Sequence, residues 1–64
     1  MPSSEEIYQA RNEVENWYRN HLQKQHPGWP KDTVTEVLIR TSYQEMLDLF
    51  VKETKAYVGP YSPY

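Results

Sequence analysis

The sequence predicts an all-α fold, a small bundle of two to three helices, and three observations carry that expectation. Apolar residues recur at steps of three and four over residues 7 to 22 and again over 43 to 57, the spacing of one helix face. The stretch His26-Pro27-Gly28-Trp29-Pro30 divides the two runs with residues through which no helical ladder continues. A hydroxyl residue stands three places before a glutamate at Ser3/Glu6, Thr33/Glu36 and Ser42/Glu45, the pattern of a capping box that opens a helix.

The first helix is expected over about residues 4–25. Ile7, Ala10, Val14, Trp17, Tyr18, His21 and Leu22 form its stripe, about 140° wide at about 100° per residue. Glu5 and Glu6 sit at the positive end of its dipole and Lys24 near the negative end, while Glu15 and Arg19 are spaced for an ion pair.

Residues 33 to 41, TVTEVLIRT, are six-ninths β-branched and would suit a strand. Helix is preferred, because Val34, Val37, Leu38 and Thr41 share a helical face and Glu36 precedes Arg40 by four residues. A last helix is expected over about 43–58, with a stripe of Tyr43, Met46, Leu47, Phe50, Thr54 and Tyr57, an Asp48–Lys52 surface pair, and Gly59 placed to cap its end.

Drawn as one helix, residues 33 to 58 would carry two apolar faces roughly 180° apart. Either the chain breaks near Thr41-Ser42, giving helices of about 33–41 and 43–58, or it runs straight and pairs with a second copy in a four-helix-type bundle. The break is preferred. Residues 1–64 then form a single helical domain with 59–64, GPYSPY, as an extended Pro/Tyr tail containing a PxxP spacing.

A chain of 64 residues without cysteine is near the lower limit at which a hydrophobic core alone holds a fold, and no disulfide can supplement it. Six Tyr, two Trp and one Phe offer large contact area with few rotamers to freeze, so association with a protein partner or a second copy is the expected supplement. The net charge of −2 gives no global attraction to nucleic acid or anionic lipid. No membrane-length apolar run or secretion-signal pattern is present, and the protein is expected to be soluble and cytoplasmic.

Enzymatic chemistry is not expected. His21 and His26 are five apart, off the three- or four-residue spacing of two ligands on one helix face, and neither metal nor cofactor is anticipated. Glu13 and Glu15 fall on different helix faces, and the hydroxyl residues that stand out already have capping roles.

The expected function is that of a small helical interaction module, a regulator or inhibitor that presents an aromatic surface to a partner or to itself as a homodimer. Trp17, Tyr18, Trp29, Tyr43, Phe50 and Tyr57 are its candidate partner-binding residues, with Met46 beside them as core or interface. The alternative is a dimeric nucleic-acid-binding regulator that uses Arg19, Lys24, Lys31 and Arg40. Trp29, between two prolines, is expected to fold back onto the bundle rather than stand free.

Overall fold

The computed structural model describes residues 4–61. Three helices are observed, α1 (Ser4–Gln25), α2 (Lys31–Arg40) and α3 (Tyr43–Thr54), followed by a single 3-10 turn at Gly59–Tyr61. α2, α3 and the 3-10 turn each pack on α1, and the molecule measures 40 × 21 × 14 Å.

α1 follows its predicted stripe: Ala10, Val14 and Leu22 are buried, and Ile7, Trp17, Tyr18 and His21 are half-buried. The Ser3/Glu6 capping box lies partly outside the described residues. The expected Glu15–Arg19 pair does not form. Glu15 instead lies 3.9 Å from Arg11, whose guanidinium is held over the Tyr43 ring, and Arg19 bonds Asn16. Both arginines are four residues from Glu15, and the one already fixed on an aromatic face is the one it meets.

The connection to α2 is a tight turn in which the Trp29 N–H donates to the His26 carbonyl at 3.0 Å, with Pro27 and Gly28 between them. α2 begins at Lys31, two residues before the predicted start, and Thr33 does not cap it. Pro30, extended at φ −70° and ψ 162°, is the N-cap without any side-chain bond, and its carbonyl accepts from the Val34 N–H at 3.2 Å. Proline's fixed φ already suits a helix entrance, so the helix starts there. Glu36 is thereby released from capping and pairs with Arg40 at 2.8 Å, as its spacing predicts. The β-branched run is helix: Val34 and Leu38 are buried, and the Thr41 hydroxyl donates back to the Val37 carbonyl.

The chain breaks at Thr41-Ser42, both in extended backbone. The Thr41 N–H closes α2 on the Leu38 and Val37 carbonyls, and the Ser42 Oγ accepts from the Glu45 N–H at 3.3 Å to open α3. Two extended residues reorient the axis, so that the opposed apolar faces both turn toward α1. Val14, Leu38, Met46, Leu47 and Phe50 make one buried cluster, flanked by Trp17, Tyr18, Tyr43, Val51 and Tyr61. The bend therefore removes the argument for dimerisation that rested on a straight helix with one wet apolar face.

α3 ends at Thr54, four residues before the predicted end, and Gly59 is not its cap. Lys55 takes that place in left-handed backbone at φ 57°, with its N–H on the Val51 carbonyl. The Thr54 hydroxyl donates to the Phe50 carbonyl and accepts from the Ala56 N–H, drawing the next residue out of the helical path. The Asp48–Lys52 pair is also absent, since Asp48 accepts from Gln44 at 3.0 Å. Gly59–Tyr61, expected to be extended, is a 3-10 turn laid on α1; the rest of the tail lies outside the described residues.

Candidate interaction surface

The apolar side chains of α1 and α2 that fall off the buried stripes define the surface. Ile39 lies about 100° around α2 from Leu38 and is 77% exposed. Tyr8, 68% exposed, precedes Arg11 by three residues and Glu15 by seven, which places all three on one flank of α1. Beside them runs an open groove of about 230 Å³, lined by Arg11, Glu15, Leu38, Ile39, Tyr43 and Met46.

The groove has a fixed wall. The Arg11 guanidinium sits 4.8 Å from the centre of the Tyr43 ring and 3.9 Å from the Glu15 carboxylate. The Tyr43 hydroxyl donates to the Tyr61 carbonyl at 2.6 Å. Burial pushes the Tyr43 phenol above its ordinary pKa, the Arg11 charge opposes this, and Glu15 and Tyr61 add to it. Leu38 and Met46, both buried, form an apolar floor. Such a site can hold an apolar side chain while offering one positive and one negative group at its edge. Compared with known protein families, characterised proteins and solved structures, the chain matches none.

The six candidate partner-binding residues are not brought to one face. Phe50 is buried, with Trp17 set edge-on at 5.4 Å and Tyr61 edge-on at 5.1 Å. Trp17 also stacks on His21, as does Tyr18 at a longer centroid distance. Those aromatics are engaged in packing α1 against α3 and the C-terminal turn. Tyr43 lines the groove. Trp29 is half-buried: its indole stacks on exposed His26 of the same turn at 3.8 Å, and its backbone carbonyl accepts from Gln23 on α1. Tyr57 is 81% exposed in the segment after α3, its ring close over Gly59.

The basic candidates are likewise spread out. Arg19 and Lys24 are about 140° apart around α1, and Lys31 and Arg40 stand at opposite ends of α2, about 14 Å apart along its axis. Arg40 is committed to Glu36. Among the described residues no three His, Asp or Glu side chains converge as a metal-ligand set, and no helix is long and apolar enough to cross a membrane.

The sequence reading missed Ile39, Tyr8 and Arg11. The available signal was position: Ile39 and Tyr8 are large apolar residues one step off a stripe that already accounts for the core.

Proposed function

We propose that this protein is a small protein–protein interaction module, a regulator or inhibitor that works by docking rather than by catalysis. The observation that carries the reading is the pairing of Ile39 and Tyr8, large apolar side chains left on the surface, with a groove whose floor is Leu38 and Met46. Interface anchors have this character, an apolar or aromatic side chain beside a desolvated pocket with charge at its rim. The presented aromatics are then Tyr8 and Tyr43, with Trp29 and Tyr57 outside the groove, while Trp17, Tyr18 and Phe50 support the scaffold.

The nucleic-acid alternative has less in its favour, because its four cations do not share a face and Arg40 is paired. The test is affinity purification of the tagged chain from its native cell, run beside Ile39→Glu. Partners retained by the wild type and lost from the variant support the reading. Identical sets from both, together with salt-sensitive binding to duplex nucleic acid, overturn it.

A further inference from the structure

We propose that the end of α3 is a two-position switch. In the position observed, the helix stops at Thr54 and Gly59–Tyr61 lies as a strap on α1. In the other position the strap lets go and α3 continues through Val58. This switch stands whether or not the α1–α2 groove is a docking site.

The chain carries two stop signals for one helix. The stop in use is Lys55, held in left-handed backbone at φ 57°, a conformation disfavoured for an L side chain. The other is Gly59 followed by Pro60, a glycine placed to end a helix and a proline that cannot continue it. Between them Lys55-Ala56-Tyr57-Val58 holds no residue that breaks a helix, and lysine and alanine favour one. The α3 stripe also runs through this segment. Tyr57 follows Phe50 by seven residues, about 700° of turn, so a continued helix sets it within about 20° of the Phe50 face. α3 runs parallel to α1, since Arg11 lies over Tyr43 and Trp17 against Phe50, and the continuation carries Tyr57 toward the last turn of α1. In the observed position Tyr57 is exposed, and so is Val58.

What the strap supplies against this is local. The Tyr43 hydroxyl donates to the Tyr61 carbonyl, the Tyr61 ring meets Phe50 edge-on, and the Tyr61 hydroxyl donates to Glu13. The Ala56 N–H is held by the Thr54 hydroxyl at 3.3 Å and the Tyr61 N–H by the Val58 carbonyl at 2.9 Å. Continuation gives up these contacts and gains three helical bonds, from the Ala56, Tyr57 and Val58 N–H groups to the Lys52, Glu53 and Thr54 carbonyls. Both positions satisfy the backbone, so a few contacts at Tyr61 decide between them. Tyr43 also lines the α1–α2 groove, and the switch thereby joins the C-terminal turn to a wall of that groove.

Backbone NMR of the full chain reads the position at Ala56, Tyr57 and Val58. In the wild type and in Lys55→Gly, which relieves the left-handed residue, their Cα shifts are expected to be non-helical. Tyr61→Ala removes the strap's ring and hydroxyl, and the same three shifts are expected to move downfield to helical values while those of α1 and α2 hold. Exchange of the Val58 amide is expected to slow at the same time, since it gains the Thr54 carbonyl. Should Tyr61→Ala fail to fold, Tyr43→Phe, which deletes one hydrogen bond, is expected to move the three shifts part of the way in the same direction. Random-coil values at the three positions in Tyr61→Ala, the result of simple fraying, overturn the switch. So do shifts that keep their wild-type values in both Tyr61→Ala and Tyr43→Phe.

Discussion

The hydroxyl of Tyr43, at the first turn of α3, donates a 2.6 Å hydrogen bond to the carbonyl of Tyr61, eighteen residues further along. This bond ties the C-terminal turn to the helix bundle. The Tyr61 ring rests edge-on against Phe50, and its hydroxyl reaches Glu13 on α1 at 3.3 Å. One aromatic residue thus meets side chains from α1 and α3 at once.

Tyr43→Phe removes the donor and keeps the ring under Arg11. A net hydrogen bond of this kind contributes about 1 kcal/mol, so the variant should lose about that much in chemical denaturation. Tyr61→Phe, which deletes only the exposed contact with Glu13, should change stability by less than about 0.5 kcal/mol. Equal losses in the two variants would contradict the assignment of the Tyr43 bond as the tie.

Alkaline pH should loosen the fold through the same pair. Burial raises the Tyr43 phenol above 10.0. Burial also raises Tyr61, reinforced by the Glu13 charge and the hydrogen bond to it. The folded state therefore holds these protons more tightly than the unfolded chain does. The resulting stabilisation is complete below about pH 10 and is withdrawn as pH rises through the folded pKa values. Thermal melts across that window should show a falling midpoint in the wild type and a shallower fall in Tyr43→Phe.

Phe50 lies at the centre of the buried cluster with two aromatic neighbours, and Phe50→Ala should cost about 3–5 kcal/mol. In a domain of this size that is enough to unfold much of the population, so urea titration at low temperature is the suitable readout. A loss below about 0.5 kcal/mol would be incompatible with a buried ring.

Lys55 is the single non-glycine residue with positive φ among those described. An L side chain in left-handed backbone costs about 1 kcal/mol, and glycine adopts it without that penalty. Lys55→Gly should therefore raise stability by up to about 1 kcal/mol, read as an increase in the urea midpoint with unchanged slope.

Much of this architecture was legible because side-chain periodicity is a local property. The α1 stripe, the break at Thr41-Ser42 and the Ser42 cap all followed from spacing alone. The errors at the helix ends share one cause, which is that a backbone group can be satisfied without the residue that usually does it. Pro30 starts α2 where Thr33 was expected to, and Lys55 ends α3 where Gly59 was expected to. The site was less legible than the fold. Trp17 and Phe50 have the composition of interface anchors, and only the packing of α3 on α1, with Trp17 and Tyr61 both edge-on to Phe50, engages them in the core cluster. Ile39 and Tyr8 become visible as surface residues once the stripes beside them are fully occupied.

Both flanking helices, α2 and α3, pack on α1, and one buried cluster joins Val14 of α1 to Leu38 of α2 and to Met46, Leu47 and Phe50 of α3. The interior is thus a single shared set of contacts. Amide protons throughout α1 should then exchange through the same opening event, because lifting either flanking helix wets a shared set of contacts and leaves no deeper compartment to persist on its own.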